Sequence, residues 1–90
     1  MRVRLSIQAT ADRHRLAAFL AEHDQGAALR AVDAITTGIA QLALTPLMGM
    51  QIGGLRELYI RFGDSGYVVQ YRIDAEAVIV ARIFHMREAR

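Results

Sequence analysis

Between Leu55 and Glu88 the chain reads LRELYIRFGDSGYVVQYRIDAEAVIVARIFHMRE, three apolar runs separated only by GDSG and DAE. Connections this short cannot hold a crossover helix, so successive runs must reverse direction, and a meander of antiparallel strands is predicted. Arginines recur inside the runs at Arg56, Arg61, Arg72 and Arg82, and His85 and Arg87 close the block. A small sheet carrying guanidinium groups suits contact with an anionic surface better than enclosure in a core.

Upstream, Val3, Leu5 and Ile7 alternate with Arg4, Ser6 and Gln8, a period of two that predicts a strand over 2–8. Thr10 or Asp12 can accept from the free amides of a helix start. From there to His23, Leu16, Phe19 and Leu20 fall at helical spacing. Asp24, Gln25 and Gly26 interrupt the pattern and can open a second helix. Its stripe is Leu29, Val32, Ile35, Ile39 and Leu42, with Ala28 and Ala43 beside it. Gly38 marks either a weak point or a close contact. Pro46 ends the helix, and residues 48–54 read as a flexible connection into the meander. The expected fold is α+β: an N-terminal strand, a helical hairpin, then a three-stranded antiparallel meander, with the helices on one face of a small sheet. The first strand is expected to pair antiparallel with a meander strand.

Ninety residues suit one domain over 1–90, and a hydrophobic fraction of 53% is high for that size. Such a chain can bury a modest core and still leave an apolar face for a partner. The absence of cysteine excludes disulfides and thiolate metal sites. No run reaches the length of a membrane span, and MRVRLSIQ lacks the apolar core of a signal peptide, so a cytoplasmic protein is expected. Net charge is only +2, but all 11 basic side chains are arginine. Each carries a planar fork suited to phosphate or carboxylate.

In the run around Tyr71, the residues Tyr67, Val69, Tyr71 and Ile73 share one face, opposite Val68, Gln70 and Arg72. If Ile79, Ala81 and Ile83 face the helices, Arg82 joins Arg72 on the open side, with Arg61 a further candidate. Taken singly, each of these arginines reads as a solvated side chain with its stem over apolar neighbours. His85 has a pKa range suited to acid or base work, although a histidine at a strand end is more often structural. His14 and His23 have no partners at metal spacing, so no metal site is expected. Asp64 and Ser65 suit a turn. No phosphate loop and no serine elbow are present, and no cofactor is implied.

The first strand and helical hairpin, then Pro46 with Gly49, GLREL at 54–58, GYVVQYRID at 66–74 and VARIFHMRE at 80–88, together resemble the RelE/ParE superfamily of bacterial type II toxins. The resemblance spans Val3 to Arg87. It implies a cytoplasmic toxin, encoded beside an antitoxin that wraps a tail around it in a hetero-oligomer, in a plasmid-stabilisation or addiction system. Two activities occur in the superfamily. ParE-like members inhibit DNA gyrase. RelE-like members cut messenger RNA on the ribosome with basic side chains of the sheet and often a C-terminal tyrosine. ParE-like is preferred here, because lysine is absent and no tyrosine follows Tyr71. An inactive toxin-like interaction module is the third reading. The resemblance nominates Arg56, Arg61, Arg72, Arg82, Phe84 and Arg87 for binding target or antitoxin. Arg61, Arg82 and His85 would be catalytic only if the protein is RelE-like.

Overall fold

A computed structural model describes residues 1–90. The elements run β1 (Arg2–Leu5), α1 (Ile7–Ala21), α2 (Gln25–Gln41), β2 (Met50–Ile52), β3 (Leu55–Phe62), β4 (Ser65–Asp74) and β5 (Ala77–His85). They build a five-stranded sheet in the order β1-β5-β4-β3-β2, with the helical hairpin on one face. No helix is long and apolar enough to cross a membrane.

The α+β arrangement and the antiparallel pairing of β3, β4 and β5 match the expectation. The connection after Pro46 does not. Met50–Ile52 forms a strand paired antiparallel with β3, and the Tyr71 hydroxyl ties the preceding segment to the sheet. That hydroxyl donates to Pro46 O (2.7 Å) and accepts from Gly49 N–H (2.8 Å). The additional strand also explains the second correction. One more reversal inverts the direction of every strand after it, so β5 returns parallel to β1, with Val3 opposite Val78 and Leu5 opposite Val80.

Helix α1 starts earlier than Thr10 or Asp12. Ser6 is its N-cap: Oγ accepts from Ala9 N–H (3.0 Å) and donates to Ala81 O (2.7 Å). One hydroxyl thus ends β1 and opens the helix. Asp24 caps α2 as expected, accepting from Ala27 N–H (3.0 Å). The core gathers Leu16, Ile35, Ile39 and Leu42 against Leu58, Tyr67, Val69, Tyr71, Val78, Val80 and Ile83. Leu29 and Phe19 are exposed, contrary to the reading of the helical stripes. The buried stripe of α2 runs Ala28, Ala31, Ile35, Ile39, Leu42, and Leu29 falls one residue off it. Gly38 is a close contact, since a Cβ there would sit 2.6 Å from Ile60 Cδ1.

In the β4–β5 ladder Tyr71 faces Val80 while Gln70 faces Arg82, leaving Ala81 as an extra residue. This bulge changes the phase of β5 by one. Val78, Val80 and Ile83 therefore face the helices, and Ile79 does not.

The two borders of the sheet differ. Along β5 the chain covers its own edge: β1 pairs with residues 77–80, Asp12 Oδ2 accepts from Ile83 N–H (2.9 Å), and Glu88 Oε1 accepts from His85 N–H (2.8 Å). At the other border β2 carries no charged side chain, and all of its residues are exposed.

Candidate binding and catalytic surface

Residues directly opposite in a ladder share a face. Pairings of Glu57 with Gln70, Tyr59 with Val68, Arg61 with Gly66, Gln70 with Arg82 and Val68 with Phe84 place this set on the open face of the sheet. Arg72, opposite Ile79, belongs to it as well. Arg72 and Arg82 thus leave the same face, as expected. Arg61 and Arg72 are exposed and make no ion pair.

Arg82 behaves differently. Its guanidinium turns round the border of the sheet to α1, where Nε donates to Asp12 Oδ2 (2.8 Å) and Nη2 to Asp12 Oδ1 (3.0 Å). Cζ lies 4.7 Å from the centre of the Phe84 ring, within cation–π range. Asp12 is only 5% exposed. Burial pushes its carboxyl up, but the bonds from Arg82 and Ile83 outweigh that and hold it below the usual carboxylate range. Sequence reading took Asp12 for a helix start. The usable signal was the i, i+4, i+8 spacing of Asp12, Leu16 and Leu20, which puts Asp12 on the buried stripe of α1.

The remaining nominees are scattered. Arg56 lies opposite Tyr71, on the helix-facing side, and is held by Gly49 O (2.8 Å) and Gln51 Oε1 (3.4 Å). His85, opposite Tyr67, also faces the helix side, its ring edge-on to Tyr67 at 5.5 Å. Its Nδ1 accepts from the backbone N–H of the exposed Arg87 (3.1 Å). Arg61, Arg82 and His85 therefore do not converge. Arg61 and Arg82 are separated by β4 and by four ladder positions, roughly 15 Å between backbones. His85 is on the opposite face from both.

Glu57 is the polar centre that sequence reading missed. It is 7% exposed, and its carboxylate accepts from Gln70 Nε2 (2.9 Å), Tyr59 OH (3.0 Å) and Arg90 Nη2 (3.5 Å). The Gln70 amide does most to hold it below the usual carboxylate range, against the opposing effect of burial; Tyr59 and Arg90 add to it. Strict alternation from Glu57 through Tyr59 to Arg61 was the available signal. A carboxylate satisfied in this way stays ionised, which makes it a weak base at neutral pH. No group of three His, Asp or Glu side chains is placed to hold a metal ion.

Residues 3–90 match the family model described as the ParE toxin of the type II toxin–antitoxin system parDE. The chain is 40% identical over 89 residues to Toxin RelE3 of Caulobacter vibrioides, covering 98% of this chain and 97% of that one. It is 37% identical to Toxin RelE1 of the same organism, covering 98% and 96%. Its fold is similar to a chain of the chromosomal ParDE TA system from P. aeruginosa, with a TM-score of 0.80 and 19% identity, over 94% of this chain and 95% of that one.

Proposed function

The chain belongs to the ParE toxin family of type II toxin–antitoxin systems, and from that premise we propose that it arrests growth in the cytoplasm by inhibiting DNA gyrase, and that a cognate antitoxin neutralises it. The observation that carries this reading is the dispersal of Arg61, Arg82 and His85. In-line cleavage of RNA by the 2′-hydroxyl needs a base, an acid and a charge stabiliser around one phosphate. Here the histidine is on the far face and Arg82 is engaged by Asp12. Binding needs no such convergence. The open face presents the exposed Tyr59 next to Arg61, with Arg72 farther along β4, and neither arginine makes an ion pair.

A ribosome-dependent endoribonuclease is the second reading. One observation favours it: the relatives of this chain named RelE.

Inducible expression with and without the neighbouring gene tests the pairing through growth arrest and its relief. Purified protein in a gyrase supercoiling assay, beside mapping of message ends on stalled ribosomes, separates the targets. Loss of supercoiling with intact message supports the proposal. Message cut at the ribosomal A site with normal supercoiling overturns it.

A further inference from the structure

Where β2 turns into β3, a notch of about 230 Å³ opens at the end of the sheet, between that turn and β4. The β3–β4 ladder closes at Arg56 opposite Tyr71, whereas β4 runs on to Asp74 with β5 alone as its partner. Gly54 and Leu55 line one side of the notch and Arg72 and Ile73 the other, with Gln51 and Arg56 beside them.

Two guanidiniums flank this space from opposite faces of the sheet. Arg56 shares the helix side with Tyr71, and Arg72, the next residue along β4, leaves the open face. Strand spacing and rise put their backbones roughly 6 Å apart. Arg56 is half-buried and already oriented: Nη1 donates to Gly49 O (2.8 Å) and Nη2 to Gln51 Oε1 (3.4 Å), which leaves the rest of its fork unused. Arg72 is exposed. Neither makes an ion pair, and no aspartate or glutamate lines the notch. Glu57, the next residue along β3, spends its carboxylate on Gln70, Tyr59 and Arg90. Two positive charges therefore border one small space without a counter-charge from the chain.

We propose that the notch binds a terminal phosphate, the dianionic phosphoryl group of a phosphomonoester. A carboxylate is planar and is satisfied by a single guanidinium fork. A tetrahedral phosphoryl group presents oxygens in several directions and accepts from two forks that approach from opposite faces. The charges match as well, since a phosphomonoester carries about −1.5 to −2 at neutral pH, against about −1 for an internal diester. Gly54 leaves room for the ester substituent, because a Cβ there would meet nothing within 4 Å. The assignment holds for either cellular target of the toxin.

The test is an NMR titration of the purified full chain at constant ionic strength, following the amides of Gly54, Leu55 and Ile73. Inorganic phosphate is the probe and acetate the planar comparison. Saturable shifts are expected with phosphate, at an affinity roughly fivefold or more above that for acetate. Arg72→Gln, and Gly54→Glu with its added carboxylate, should each weaken phosphate binding about tenfold. Both positions are exposed, so the thermal midpoints should stay close to the parent. Arg30→Gln, exposed on α2, should bind as the parent does. Adenosine monophosphate should bind at least as tightly as inorganic phosphate, and a dinucleotide joined by an internal diester several-fold more weakly. Shifts that chloride reproduces would reduce the effect to screening and overturn the site. Phosphate binding retained by both Arg72→Gln and Gly54→Glu would overturn it too. Acetate equal to phosphate, or the dinucleotide tighter than the monophosphate, would overturn the assignment to a terminal phosphate.

Discussion

Replacing Asp12 with alanine is expected to cost far more than its position on a helix surface would suggest. The carboxylate bridges α1 to the edge of β5 just past the point where β1 stops, accepting from Ile83 N–H and from two nitrogens of Arg82. Alanine leaves the Ile83 amide, on a fully buried residue, without an acceptor. An orphaned buried donor costs about 1–3 kcal/mol. The Arg82 guanidinium is half in solvent and rehydrates once freed, so it adds little. A loss of about 2 kcal/mol corresponds to a fall in Tm of roughly 10 °C for a domain of this size. Urea titration followed by circular dichroism should move the midpoint while leaving the slope unchanged. Arg82→Ala should also destabilise at neutral pH, because it strips Asp12 of its main counterion, and the effect should shrink in acid, where Asp12 is protonated. That coupling means the variant does not report on the arginine face alone. A Tm for Asp12→Ala within a degree or two of the parent would refute the bridge.

Three further outcomes follow from the geometry. Asp12 and Glu57 both titrate below the usual carboxylate range in the folded chain, so the stability they contribute is complete above their unfolded pKa of about 4 and is lost as pH falls through the lower folded values. Thermal midpoints should therefore hold between neutrality and about pH 5 and drop below about pH 4; midpoints that rise with acid would contradict this. Ala75, in the β4–β5 turn, has φ of 51°, and Ala75→Gly should raise stability by about 0.5–1 kcal/mol in denaturant titration, the relief of strain exceeding the entropic penalty of glycine. Tyr71→Phe deprives the buried Gly49 N–H of its acceptor and Pro46 O of its donor, and should cost about 1–3 kcal/mol; an unchanged midpoint would mean that the 46–49 segment is held by other contacts.

The meander was legible because its turns are too short for anything but reversal, and the helical hairpin because Asp24 sits where an N-cap is needed. The face of β5 was not. Val78 to Phe84 is almost uniformly apolar, so no alternation marks the phase, and Ala81 is too small to betray a bulge. Strand β2 escaped because three residues among methionines and glycines carry no periodicity. Its omission then reversed the inferred direction of β5 relative to β1. The candidate site was legible in part. The arginines of the open face could be read from alternation, but the two carboxylates that organise the surface, Asp12 and Glu57, owe their roles to partners 70 and 13 residues away. Separations of that kind leave no local trace.

The unequal borders of the sheet have a consequence for how much of this protein a cell can hold in free form. One margin is finished by the chain itself. The other ends in Met50 and Ile52, with the exposed Leu44 and Leu47 close by in sequence, and it lacks the charges that usually keep an edge strand from recruiting another. Copies without a partner can meet along that margin, so association should climb with concentration, while an edge of only three residues keeps each such contact weak.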